Sequence, residues 1–224
     1  MFGGKEIAKS FGKHKVLHNV TFSLENNKII GVFGLNGSGK TTLLRILSGL
    51  DGYFQGEVYK TDFEDVAYMA VDNITPPGMS VKGMIEFYST FLPKQNTEKI
   101  LAQLKAVGIK ERSRLNDLSS GMKQYVKFLL TIHSGASVCL FDEPLTNLDV
   151  NLRVKIVQTM IEEIASDRCF IITTHEIKEM ERIIDGFYIL KDGRFSPYYE
   201  SESVVEETGL SIEEFYKEKV NAKN

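Results

Sequence analysis

An apolar run, Ile29-Ile30-Gly31-Val32-Phe33, leads directly into the octapeptide Gly34-Leu35-Asn36-Gly37-Ser38-Gly39-Lys40-Thr41. An amphipathic stretch, Thr42-Leu43-Leu44-Arg45-Ile46-Leu47, follows without a gap. The octapeptide fits the phosphate-binding pattern G-x-x-x-x-G-K-[ST], and a strand before and a helix after are the setting that pattern requires. Glycines let backbone N–H groups turn inward around a polyphosphate, and the helix N-terminus adds a dipole of the right sign. At average composition the pattern arises by chance roughly once in a hundred chains of this length. Its flanking elements make chance rarer still. The chain is therefore expected to bind a nucleoside triphosphate, with Lys40 reaching the β- and γ-phosphates and the Thr41 hydroxyl ligating Mg²⁺.

The 224 residues suffice for one sizeable core. A net charge of −3 gives no global basic field, so no nucleic-acid partner is expected. Both cysteines, Cys139 and Cys169, sit inside apolar runs and read as buried small hydrophobes of a reducing compartment. The segment Met1-Phe2-Gly3-Gly4-Lys5-Glu6 has no apolar signal core, and no run approaches the roughly 18 apolar residues that cross a bilayer. A cytoplasmic chain is expected, reaching a membrane only through a partner.

Hydrophobic patterning divides the chain. Val16 to Leu24 alternates apolar and polar residues, the period of antiparallel strands with one exposed face. Glu57-Val58-Tyr59 and Val66–Val71 read as further strands, and Asp72–Ser80, with Pro76-Pro77-Gly78, as a break. From Val81 to about His133 apolar residues recur at helical spacing, which suggests a helical lobe inserted in an α/β core. Val138–Phe141, Phe170–Ile172 and Phe187–Leu190 are continuous apolar runs, as parallel strands covered on both faces require. The charged tail is predicted helical around Ile212–Tyr216.

Three further motifs carry chemistry. Val138-Cys139-Leu140-Phe141 ends in Asp142-Glu143. Beside a phosphate loop the first carboxylate can hold Mg²⁺ and the second can polarise an attacking water. A solvated strand end or a helix cap, with Pro144 at the first helical position, is the competing reading. His175 follows Ile171-Ile172-Thr173-Thr174 at the edge where open α/β sheets bind ligands. Leu118-Ser119-Ser120-Gly121-Met122-Lys123-Gln124 is a Ser/Gly turn opening a helix, an N-cap and a possible anion site.

In this order and spacing the motifs resemble those of the nucleotide-binding subunits of ATP-binding cassette (ABC) proteins, over about residues 5 to 195. Gly34–Thr41 resembles their Walker A, Leu118–Gln124 their L-S-G-G-Q signature, Val138–Glu143 their Walker B with the catalytic glutamate, Leu148-Asp149 their D-loop and His175 their switch histidine. The resemblance implies an α/β fold: a P-loop NTPase core with a mostly parallel sheet flanked by helices, an N-terminal antiparallel β subdomain and an inserted helical subdomain. It implies one ABC ATPase domain over residues 1–224. Residues 1–80 and 134–195 would form the core with its antiparallel part, 81–133 the helical signature subdomain and 196–224 a C-terminal extension. ATP and Mg²⁺ are the implied cofactors, with Asn36, Gly37, Ser38, Gly39, Lys40, Thr41 and Thr42 around the phosphates and Thr41 and Asp142 on the metal. Glu143, His175 and Lys40 are the implied catalytic groups. Two cassettes, as a homodimer or a pair, would close head to tail, so that Ser119 and Gly121 touch the γ-phosphate held by the other subunit and Asp149 signals across the interface. Phe11 falls where the family has an aromatic that stacks on adenine; a core phenylalanine is the alternative.

Two positions depart from the family pattern. Val71 stands where a Mg²⁺-touching glutamine is usual, so either Asp72 replaces it or that contact is missing. Ser120 replaces the first signature glycine, a mild handicap if the position needs positive φ or close backbone approach to phosphate. Met122-Lys123 resembles the variant found in cassettes of ABC-2-type exporters. The resemblance thus implies an ATP-hydrolysing transport subunit, with a lean to export, acting on a separate integral membrane permease docked at the helical lobe. A non-transport soluble ABC ATPase and a regulatory cassette with weak hydrolysis are the alternatives.

Overall fold

Phe2–Phe11 (β1) and His14–Leu24 (β2) pair antiparallel, and the alternation of the sequence survives as alternating burial along β2. The structure is a computed structural model and describes residues 2–25, 27–59, 66–71, 78–164 and 168–221. Lys28–Phe33 (β3) leads through the glycine-rich loop into Lys40–Leu47 (α1), and Gln55–Tyr59 (β4) returns to the free edge of β1. This gives a three-stranded sheet in the order β2-β1-β4.

The continuous apolar runs build the second sheet. Val66–Met69 (β5), Val138–Asp142 (β6), Cys169–Thr173 (β7) and Gly186–Lys191 (β8) join β3 in the order β8-β3-β7-β6-β5, all parallel. Two short strands, Arg194–Phe195 (β9) and Tyr199–Glu200 (β10), pair antiparallel with β8. Successive residues point to opposite faces of a strand, and two apolar cores record this. Ile29, Phe33, Phe141, Phe170, Ile172 and Phe187 enter one; Ile30, Val32, Leu140, Ile171, Tyr188 and Leu190 enter the other. The second core is closed by α1 and the antiparallel sheet. The first is closed by the remaining helices.

The helical block is interrupted for identifiable reasons. Val81–Phe91 (α2) starts at Ser80, whose hydroxyl accepts the Gly83 N–H at 3.0 Å, and stops before Pro93, which cannot continue a helix. Thr97–Ala106 (α3) is capped by Asn96 and ends just before Gly108, in the left-handed region at φ 77°. A 3₁₀ turn at Leu115–Asp117 leads into Ser120–Ile132 (α4). Val150–Glu163 (α5) and Ile177–Met180 (α6) connect the later strands. The tail holds two helices, Ser201–Thr208 (α7) and Ile212–Asn221 (α8). The second covers the predicted Ile212–Tyr216; α7 was not anticipated. Cys139 and Cys169 are buried and free, and burial raises both thiols, Cys169 to about 12. Among the described residues no helix is long and apolar enough to cross a membrane.

Candidate functional site

The glycine-rich loop sits at the C-terminal end of β3, and its conformation depends on glycine at two points. Gly37 (φ 80°) and Gly39 (φ 106°) lie in the left-handed region, and a Cβ on Gly39 would come within 2.9 Å of the Leu17 side chain. Gly39 is the N-cap of α1, with no side-chain cap and no acidic residue in the first turn. The free N–H groups and the positive end of the helix dipole therefore face outward uncompensated, an arrangement suited to an anion. They face a cavity of about 330 Å³ lined by Val16, Asn36, Gly37, Gly39, Lys40, Thr41, Thr42, Asp142 and Glu143. Lys40 is buried against the loop and donates to the carbonyls of Gly34 (2.8 Å) and Leu35 (3.3 Å). Burial lowers its pKa, opposed by the carboxylates of Glu143 and Asp142. Ser38 closes the turn through its N–H to Leu35 O at 3.1 Å, with its hydroxyl buried beneath the loop.

Opposite the loop, Asp142 ends β6 with no exposed surface. Its Oδ1 accepts the Thr173 hydroxyl at 2.6 Å and its Oδ2 the Tyr68 hydroxyl at 3.2 Å. Each carboxylate oxygen has two acceptor sites, so one on each remains for a cation. With the Thr41 hydroxyl lining the same cavity, the donor set is all oxygen, the chemistry of Mg²⁺ rather than of softer metals. Among the described residues no group of three or more His, Cys, Asp or Glu is placed to hold a metal. A one-carboxylate Mg²⁺ site completed by substrate phosphates fits these residues.

Glu143 leaves the strand in the left-handed region (φ 51°), its N–H on Thr173 O at 3.0 Å and its carbonyl accepting Gln124 Nε2 at 3.0 Å. These bonds aim the carboxylate at the cavity mouth, where Oε2 lies 2.8 Å from His175 Nδ1 and 3.3 Å from the His175 N–H. Burial raises the Glu143 pKa, while His175, Lys40 and the His175 backbone bond pull the other way. A carboxylate with a raised pKa, held by an imidazole beside a phosphate cavity, is equipped to take a proton from water. Pro144 lies in a turn, not at the start of a helix, so the helix-cap alternative for this segment does not hold.

Other anticipated residues lie farther out. Ser119 caps α4, its hydroxyl accepting the Met122 N–H at 3.2 Å. Neither Ser119 nor Gly121 lines the phosphate cavity. Gly121 packs on the D-loop instead, where a Cβ would stand 2.7 Å from Asn147 O. Ser120 is the first residue of α4 and has no positive φ, so serine there meets no left-handed backbone. Asp149 caps α5, accepting the Leu152 N–H at 3.0 Å. Phe11 ends β1 with 55% of its surface exposed and its ring under the Lys9 ammonium, 4.9 Å away. It is not a core phenylalanine, and it does not line the cavity; Val16 does. Val71 is half-exposed, and its carbonyl and that of Ala70 face Lys127 Nζ at 3.4 and 2.8 Å. Asp72 lies outside the described residues.

Sequence reasoning missed Tyr68, Thr173 and Gln124 as supports of the two carboxylates. The sequence alone places Tyr68 only within a strand. Its role follows from register: β5 lies beside β6 with Tyr68 opposite Leu140, two residues before Asp142.

A sequence model described as ABC transporter matches residues 17–146. An aliphatic sulfonates import ATP-binding protein of Shouchella clausii is 34% identical over 198 residues, covering 87% of this chain and 78% of its own length. An uncharacterized ABC transporter ATP-binding protein of Methanocaldococcus jannaschii is 29% identical over 207 residues, covering 89% and 78%. The solved structure of an ATP binding subunit of an ABC transporter superposes with a TM-score of 0.88 over 99% of this chain and 100% of its own; at 22% identity that likeness concerns the fold.

Proposed function

The chain belongs to the ABC transporter family, and from that premise we propose that it pairs with a second cassette, a copy of itself or a relative, around two ATP molecules and drives a separate membrane permease. ATP binding, and hydrolysis coupled to transport, come with the family.

One observation carries the pairing. Lys40, Thr41, Asp142 and Glu143 line one cavity, whereas Ser119 and Gly121 of the same chain do not. The cavity is half a site, open toward a partner that supplies Ser119 and Gly121. Asn36, Gly37, Ser38, Gly39 and Thr42 hold the phosphates through loop and helix N–H groups, with Lys40 on the β- and γ-phosphates. Thr41 and Asp142 would hold Mg²⁺, which would supply charge neutralisation at the transferring phosphoryl group. Glu143 takes the proton of the attacking water, and His175, 2.8 Å away, fixes the carboxylate. Phe11 stacks on adenine, and Asp149 carries the signal between subunits.

The permease reading is supported by an exposed aromatic cluster on α2. Phe87 and Phe91 are 52% and 68% exposed, their rings 5.2 Å apart, with Tyr88 at 6.0 Å from Phe87. Such a patch suits a protein partner, and a permease docked there would hold the chain at the cytoplasmic face of the membrane. Export is favoured by the Met122-Lys123 signature; the name of the Shouchella relative points to import. Val71 favours a second reading, a regulatory cassette with weak hydrolysis. The deciding experiment is an affinity pull-down of the tagged chain from detergent-solubilised native membranes, with and without ATP. Recovery of a polytopic membrane protein near equal stoichiometry supports a transporter subunit, and the permease's own fold then settles direction. Recovery of soluble partners alone transfers the weight to a non-transport ATPase.

A further inference from the structure

Arg153 has no part in the roles given above, yet its guanidinium makes three hydrogen bonds close to the site. It lies one turn into α5. Nε donates to the carbonyl of Leu148 at 3.2 Å. Nη2 donates to Glu176 Oε1 at 2.9 Å, and Nη1 pairs with Glu176 Oε2, so the carboxylate is held two-pronged. Glu179 stands at 3.7 Å from Nη1. Arg153 and Glu176 are 23% and 21% exposed, enough burial to keep water from replacing the pair freely.

Both ends of this bridge are backbone-adjacent to a functional residue. Leu148 precedes Asp149, the D-loop carboxylate. Glu176 follows His175, whose N–H and Nδ1 both contact Glu143 Oε2. The Glu176 N–H is also tied to Thr174 Oγ1 at 2.9 Å, so residues 174–176 are held as a unit. A planar guanidinium can meet a carbonyl and a carboxylate edge together because its donors are fixed in one plane; a lysine ammonium cannot hold both directions.

We infer that Arg153 is a positioning residue that rigidly couples the D-loop at Leu148-Asp149 to the His175–Glu143 pair, so that D-loop placement sets the geometry of the base. The inference rests on the ATPase reading of the site. Arg153 does not line the cavity at the phosphate loop, and its loss acts on the chemical step while leaving the phosphate loop intact.

The test compares the parent chain with Arg153→Ala, Arg153→Lys and Glu176→Gln, measuring kcat and KM for ATP, affinity for a fluorescent ATP analogue, and Tm. Misplacement of a reacting group by an ångström costs on the order of 100-fold. Arg153→Ala is therefore expected to lower kcat by about 10- to 100-fold, with KM and analogue affinity within about threefold of the parent. Arg153→Lys should recover little of the loss. Arg153→Ala/Glu176→Gln should be no slower than the worse single variant, since both break one bridge. A plain brace between helices predicts a lower Tm with kcat near the parent's, and that result overturns the inference. So does full rescue by Arg153→Lys, and that variant also serves if Arg153→Ala does not fold. If the parent hydrolyses ATP and the variants match it, this inference alone falls. A parent that binds ATP without hydrolysing it removes the ATPase reading and the inference with it.

Discussion

The two rims of the parallel sheet are made by the same strands and behave differently. At the C-terminal rim, buried polar groups keep unused capacity: Asp142 has acceptor sites left after Thr173 and Tyr68, and Glu143 is held with its pKa raised. At the N-terminal rim polar groups serve the fold. Asp185 accepts the Ile29 N–H at 2.7 Å and pairs with Lys28 at 3.7 Å, tying the start of β3 to the start of β8. Beyond it, Phe187, Tyr199 and Phe215 pack ring against ring at 5.0–6.1 Å and seat the C-terminal helices. That rim also borders the larger cavity, about 860 Å³, lined by Tyr188, Tyr198 and Lys219 among others. Cavity size therefore does not locate the chemistry. The carboxylates with acceptor sites to spare, at the smaller cavity, do.

The contrast breaks if a change at one rim is felt as chemistry at the other. Glu143→Gln should give the largest effect: hydrolysis lower by about 10²–10⁴-fold, with ATP binding retained and an ATP-dependent dimer accumulating on size-exclusion chromatography. If that variant hydrolyses like the parent, Glu143 is not the base. At the opposite rim Phe215→Ala should cost about 3–5 kcal/mol of stability by denaturant unfolding. Its ATPase rate per folded molecule should not change; a tenfold fall would mean the rims are not independent. Thr173→Val leaves a buried carboxylate short of one donor. About 1–3 kcal/mol of stability should go, together with part of the ATPase rate, because the Thr173 hydroxyl also accepts the Glu143 N–H at 3.3 Å.

Titration sharpens the same comparison. Glu143 must be ionised to accept a proton, so its raised pKa moves the acid limb of kcat above the ordinary carboxylate range, and activity climbs with pH through it. Lys40 must be charged, and its lowered pKa brings the alkaline limb below that of an ordinary lysine. Tyr198 at the other rim is pushed up to about 12, first by burial, and stays silent throughout. A kcat profile lacking the acid limb would remove Glu143 from the chemical step. The smallest effect is expected from Val71→Gln, a gain in ATPase of at most about tenfold; no change in activity or coupling would mean that the missing glutamine is immaterial.

Much of the C-terminal rim was legible because its motifs are local. The phosphate loop announces itself within eight residues, and Asp142, Glu143 and His175 each end an apolar run. What could not be read depends on neighbours distant in sequence. Tyr68 reaches Asp142 only because β5 lies beside β6, and Arg153 meets Glu176 only because α5 and the segment after β7 converge. The tail was half legible for a related reason. Ser-Glu-Ser-Val-Val-Glu-Glu-Thr buries only Val204, too little apolar period to mark α7, whereas Ile212 and Phe215 give α8 a buried face. At Ser120, where serine replaces glycine, the residue is helical, which answers the question of positive φ that its type raises.

The left-handed backbone at Glu143 has a consequence for how such a chain drifts under selection. A side chain other than glycine, asparagine or aspartate pays about 1–2 kcal/mol in that region, so the proposed base occupies a position whose own peptide would be better satisfied without it. Glycine or asparagine at 143 should yield a sturdier protein that still grips ATP and no longer splits it. Screening a library of this chain for heat resistance alone would enrich such variants, and a population relieved of the need to turn over ATP would decay first into a permanent clamp.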